Sequence, residues 1–173
     1  MRAEEAELSE RLVRIYENVL LTEEQALSKG YFSDLSNVEM HTLDAIGPYE
    51  ARTMTETAND LGITTGTLTV AIDRLVKKGY VVRKRDEADR RIVRISLTKN
   101  GKLACRIHAK FHTVLAKRIL EPYSPEEQKQ LIKMVSEIDD YIASQLRRYT
   151  DSDSIRKTAK TVASEGRRRE ENG

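Results

Sequence analysis

A chain of 173 residues with 34% charged side chains, 5% aromatics and no Trp is long enough for one buried core, and this profile favours helices with solvated faces. Its net charge of only +2 excludes a uniformly polybasic protein, yet positions 52–102 hold twelve Lys/Arg against six Asp/Glu, a basic segment suited to binding phosphate. The single Cys excludes an internal disulfide and fits a reducing, cytoplasmic setting, and neither a signal core nor a membrane-length apolar run is present.

The periodicity predicts a first long helix from about Glu4 to Ser28, with Leu8, Leu12, Ile15, Val19 and Leu20 as its apolar stripe. Ser36-Asn37-Val38-Glu39 is a capping box opening a helix through Ile46, and Gly47-Pro48 stops it. Thr53-Met54-Thr55-Glu56 opens a short helix to Leu61, with Gly62 as the turn. A second helix then runs from Thr65 to Lys78, with Thr64 as its N-cap and Leu68, Ile72, Leu75 and Val76 on its apolar face. Two helices joined by a tight Gly-containing turn make a helix-turn-helix. Tyr80 to Arg85 and Arg91 to Leu97 are β-forming and basic, and they predict a two-stranded ribbon, a wing, around the polar turn Asp86-Glu87-Ala88-Asp89-Arg90.

Thr98 starts a long helix to about Leu120, with Leu103, Ile107, Phe111, Val114, Leu115 and Ile119 on one face. Pro122 breaks it, and Ser124-Pro125-Glu126-Glu127 starts a last helix to about Arg147, with Leu131, Met134, Val135, Ile138, Ile142 and Leu146 inward. The fold class expected is mainly α, a winged helix-turn-helix of about residues 36–100 flanked by long helices at about 4–28 and 98–147. Residues 149–173 are polar and charged, and a mobile tail is expected there. The flanking apolar faces exceed what a small winged lobe can cover, so two chains packing them together is the simplest arrangement.

A capped helix beside a basic ribbon suits a DNA major groove and the backbone next to it. Thr64, Thr65, Thr67, Thr69 and Arg74 are the candidates on the helix, as hydroxyls and a guanidinium that reach phosphates or base edges. Gly66 lets the helix start approach the backbone closely, and Arg83, Lys84 and Arg85 add phosphate affinity. The blander reading of these residues is a solvated helix face and a charged hairpin. No Gly-rich phosphate loop, nucleophile elbow or paired-carboxylate signature argues for an enzyme or a cofactor. Cys105 and Met40 are expected to pack, as is Met54.

The segments LGITTGTLTVAIDRLVKKGYV and RDEADRRIVRISLTKNGK together resemble the MarR family of winged helix-turn-helix regulators, and the resemblance spans about Leu8 to Leu146. It implies a MarR-like domain over residues 1–148, a homodimer, and binding to palindromic operator DNA with repression or activation of transcription. It also implies that Arg91 reaches the minor groove, oriented by Asp89, with Arg90 on phosphate nearby.

Glu39–Gly47 and Arg106–His112 are similar to the family's fatty-acid-synthesis repressor branch, in which an acyl chain on acyl carrier protein is the corepressor. A second branch senses zinc with one Glu and three His, and Glu24, His41, His108 and His112 match that set. His108 and His112, one turn apart, share a helix face suited to chelation. The alternative for these histidines is a buried polar network between helices.

Overall fold

The computed structural model describes residues 2–150. The elements in chain order are α1 (Ala3–Ser28), α2 (Asn37–Ile46), β1 (Arg52–Thr53), α3 (Met54–Asp60), α4 (Thr65–Lys77), β2 (Val81–Arg85), β3 (Val93–Leu97), α5 (Lys99–Leu120) and α6 (Pro125–Thr150). The fold is mainly α with a small sheet, as the sequence predicts. Helix α6 carries Tyr149 and Thr150, and the rest of the expected tail lies outside the described residues. None of the described helices is long and apolar enough to cross a membrane.

The predicted helix starts form because their side chains satisfy the backbone donors that an α-helix leaves open at its first turn. Ser36 accepts from the Glu39 N–H while the Glu39 carboxylate accepts from the Ser36 N–H, and Thr53 and Glu56 do the same for α3. In α6 the Ser124 N–H donates to Glu127 Oε2 at 2.8 Å.

The chain divides into two compact units inside α5, after Leu115. In the first, Met40, Leu43 and Ile46 from α2, Leu68, Ile72 and Leu75 from α4, and Val81, Ile95 and Leu97 from the sheet form one core. Phe32 and Leu35 close it from the α1–α2 connector, and Ala104 and Cys105 from α5. Burial pushes the Cys105 thiol up to about 12, with Asp44 adding to the shift, so it is a packing residue and not a thiolate. In the second unit, Gln128 Nε2 donates to the carbonyls of Leu120 at 3.1 Å and Tyr123 at 2.9 Å, closing the turn into α6.

The sheet has three strands where two were expected, in the order β1-β3-β2 with both pairings antiparallel. Two residues are too few to show strand alternation, which is why β1 is silent in the sequence. It pairs Arg52 with Ile95 and Thr53 with Arg94, so β3 is central and ties the entry of α3 to the wing.

The junction after α4 is tight. Gly79 takes φ of 80°, a left-handed conformation that ends the helix, and the Tyr80 N–H reaches back to the Leu75 carbonyl at 2.9 Å. The Thr98 N–H then donates to the Tyr80 carbonyl at 2.9 Å, seating the start of α5 on the same residue.

Candidate nucleic-acid interface

Helix α4 begins with its dipole end uncovered. The Thr64 hydroxyl accepts from the Thr67 N–H at 3.2 Å, and no acidic residue stands in the first turn. A helix N-terminus free of carboxylates favours an incoming phosphate. Thr64, Thr65, Gly66, Thr67 and Thr69 are all exposed. The Thr64 and Thr67 hydroxyls lie 2.9 Å apart, and Thr69 Oγ1 donates to the Thr65 carbonyl at 2.7 Å.

Gly66 is not required by the fold, because a Cβ there would meet only Thr64 Oγ1, at 3.8 Å. Gly66→Ala is therefore expected to leave the thermal midpoint unchanged or slightly raised, since Ala has the higher helix propensity. If α4 docks by its first turn, the same methyl obstructs the DNA backbone and lowers affinity severalfold; equal affinity on a DNA titration would remove Gly66 from the interface.

The three sides of α4 have different partners. Leu68, Ile72 and Leu75 are buried, whereas Val76, expected on that face, is exposed. A second side is turned to the wing. Arg83 on β2 donates through Nη1 to Asp73 Oδ1 at 2.5 Å and through Nη2 to the Thr69 carbonyl at 3.2 Å. Arg83, expected to add phosphate affinity, thus spends its guanidinium on holding the wing against α4.

On the third side, Arg74 and Lys78 line a cavity of about 950 Å³ with Leu20, Leu27 and Leu35. Arg74, a candidate for phosphate or a base edge on the flank of the helix, stands one turn from Lys78 at the rim of this cavity. Glu39 stands across from it on α2. Burial works against the Glu39 charge, but Lys78 and the Ser36 cap together hold its carboxyl below the usual carboxylate range.

The wing turn is held by Asp86, the residue that opens it. Asp86 Oδ1 accepts from the N–H groups of Ala88 at 2.9 Å and Asp89 at 3.1 Å, while its other oxygen takes the Arg94 Nε–H. The Arg94 guanidinium, followed by these two N–H groups, holds the Asp86 carboxyl below its ordinary range. An aspartate opening a polar turn is the one local sign of this.

Asp89 does touch Arg91, but through the backbone: the Arg91 N–H donates to Asp89 Oδ1 at 2.9 Å. Asp89 therefore shapes the turn and leaves the guanidinium free. Arg85, Arg90 and Arg91 are exposed, and among the described residues none of them has an ion-pair partner. The wing tip thus presents uncommitted cations, while Arg83 and Arg94, nearer its base, are paired.

A separate polar cluster joins α1, α2 and α5. Glu23, buried to 4% exposure, places Oε1 2.9 Å from His112 Nε2 and 3.5 Å from His108 Nε2, and Oε2 3.4 Å from His41 Nε2. Glu24 was expected here and is corrected to Glu23. Neighbouring residues on a helix point about 100° apart, so only one of the two can face the histidines, and Glu24 instead lines the large cavity. His108 Nδ1 lies 2.7 Å from Asp44 Oδ2, and this hydrogen bond raises the imidazole pKa against the opposing effect of burial.

A family model described as "MarR family" matches residues 35–93, which hold α2 to the start of β3. The crystal structure of Streptococcus pneumoniae FabT in complex with DNA superimposes with a TM-score of 0.76 at 36% identity, covering 81% of this chain and 98% of that one. This chain belongs to the MarR family. The curated relatives cover less: the uncharacterized HTH-type transcriptional regulator YfiV of Bacillus subtilis is 35% identical over 104 residues, 60% of this chain and 64% of its own length. The HTH-type transcriptional repressor YetL of the same organism is 31% identical over 84 residues, 49% of this chain and half of its own. The chain thus spans less than two thirds of these two curated relatives. The Staphylococcus aureus MepR–DNA complex, at 21% identity and a TM-score of 0.62, shares the winged fold.

Proposed function

We propose that this protein is a cytoplasmic transcriptional repressor that binds palindromic double-stranded operator DNA as a homodimer. The observation that carries this is the uncovered start of α4 beside a wing tip whose exposed arginine side chains have no ion-pair partner among the described residues. In this reading Thr65, Gly66, Thr67 and Thr69 meet the major groove, with Thr64 capping the helix. Arg91 enters the minor groove, and Arg85 and Arg90 meet phosphate. The DNA-bound FabT neighbour supports the same use of these elements. Dimerisation is supported by the apolar residues that the single chain leaves exposed, among them Leu8, Leu12 and Ile15 on α1 and Ile132, Val135 and Ile138 on α6. We assign the flanking helices of a domain over residues 1–148 to that contact.

The effector that fits best is a fatty acyl chain delivered by acyl carrier protein, with genes of fatty-acid synthesis as targets. Its support is the likeness of Glu39–Gly47 and Arg106–His112 to that branch, together with a cavity that joins leucines to polar groups beside α4. A ligand there acts by binding one arrangement of the lobes more tightly than another.

A second reading is favoured by one observation, the gathering of Glu23, His41 and His108 with ligand atoms within 4.8 Å of one another. His112 completes a Glu-plus-three-His set, and Asp44 stands behind His108 as an orienting carboxylate. These donors suit tetrahedral zinc, which would tie α1, α2 and α5 together.

The test is a titration onto a fluorescent fragment of the gene's own upstream region, with nothing added, with long-chain acyl carrier protein, and with zinc or a chelator. Tightening by the acyl carrier is expected. Tightening by zinc that is lost with chelator and in Glu23→Gln and His108→Ala moves the effector assignment to the metal. Salt-sensitive binding that ignores both leaves a repressor of another signal, and no binding to DNA overturns the reading.

A further inference from the structure

The reading end of α4 is its first turn, but the helix is anchored at the other end. Lys78, the C-cap of α4, donates through Nζ to Glu39 Oε1 at 2.9 Å, to Glu39 Oε2 at 2.7 Å and to the Asp34 carbonyl. Two residues on, the Tyr80 hydroxyl donates to Asp34 Oδ1 at 2.7 Å. Both tethers end on the α1–α2 connector and the start of α2. Glu39 is buried to 6% exposure and already serves as the third residue of the Ser36 capping box, so its carboxylate cannot swing to follow a displaced lysine. Removing the ammonium leaves a buried carboxylate without its cation, which the surroundings resolve by shifting.

We infer that Lys78 is a positioning residue for DNA binding: through its ion pair with Glu39 it sets the tilt of the recognition helix. The inference rests on the DNA-binding role proposed above. The 13 residues of α4 span about 20 Å at 1.5 Å per residue, so a tilt of about 5° at the anchored end moves the first turn by nearly 2 Å. That is enough to misplace hydrogen bonds to base edges while leaving the helix and its buried leucines intact. Lys78 stands on the cavity side of α4, so its part in binding is exerted through Glu39 and not by touching DNA.

The test uses Lys78→Met, which keeps the length and apolar stem; Glu39→Gln, which keeps the capping box; and the double variant. Affinity for the upstream fragment is measured across a salt series, together with hydrogen exchange at the amides of Lys78 and Tyr80, which donate to Arg74 and Leu75. Lys78→Met is expected to weaken binding about tenfold, within the usual span of coupling between separate sites, with the salt slope unchanged and both amides exchanging faster. The double variant is expected to be no weaker than Lys78→Met alone, because the two residues act as one pair.

A salt slope shallower by about 0.9 per protomer would make Lys78 a direct phosphate contact and overturn the inference. Fully additive losses, or unchanged affinity and exchange, would also overturn it. Wild-type protein that ignores DNA would remove the DNA-binding reading instead. The exchange measurement still decides the anchor in that case: faster exchange in both single variants supports it, and unchanged exchange overturns it.

Discussion

Arg91→Ala is expected to weaken operator binding roughly 30-fold or more without moving the thermal midpoint. An arginine contact to a base edge contributes about 1–3 kcal/mol, the proposed dimer would lose two of them, and each 1.4 kcal/mol is tenfold. The folded state loses nothing comparable, because the Arg91 side chain is exposed and only its backbone N–H is used, by Asp89. The salt dependence should flatten by about two counterions per dimer. Arg83→Ala provides the contrast, since that guanidinium is spent on Asp73 and the Thr69 carbonyl. It should lower affinity less and leave the salt slope nearly unchanged. An Arg91→Ala protein that binds like the wild type would remove the wing tip from the interface.

Gly101→Ala should place the most tightly crowded new methyl among the described glycines, and it should be markedly destabilising. A Cβ at Gly101 would lie 2.3 Å from the Tyr80 carbonyl oxygen and 3.2 Å from the Leu97 side chain. The oxygen belongs to the backbone and already accepts the Thr98 N–H, so it cannot turn aside without breaking the seat of α5. Overpacking of this kind costs about 1–3 kcal/mol or more. For a domain of this size that lowers the midpoint by several degrees in a calorimetric or circular-dichroism melt. A midpoint within a degree of the wild type would mean that α5 slides freely on the wing. Set beside Gly66→Ala, which should spare the fold and weaken only DNA binding, the pair separates a glycine held by the fold from one kept for a partner.

Much of this architecture is legible in the residues because it is written locally. Capping boxes at Ser36 and Thr53 act over three positions, and the stripes of the long helices repeat over many turns, so both can be read without a partner in view. Strand β1 escapes because two residues carry no period, and its pairing with β3 joins positions over 40 apart. The choice between Glu23 and Glu24 depends on the phase of a 26-residue helix, which a pattern of scattered leucines defines only loosely. Arg74, Arg83, Arg90 and Arg91 look alike in sequence. What separates them is whether an acidic partner or a cavity stands nearby, and those neighbours come from distant segments. The Lys78–Glu39 pair spans 39 positions and leaves no local trace.

Because β3 is hydrogen-bonded on one side to the strand that leads into α3 and on the other to β2, the wing and the helix-turn-helix form one stiff reader. Such a reader cannot adjust its grip on a few base pairs independently of the rest. In the homodimer proposed above, recognition within one lobe would then be close to all or none, and a bound signal would have little to act on except the distance between two intact readers. Promoters carrying identical half-sites but different spacers would therefore answer the same signal with different strength. Regulatory evolution under this protein would proceed by inserting and deleting spacer base pairs more readily than by gradual drift of the contacted bases.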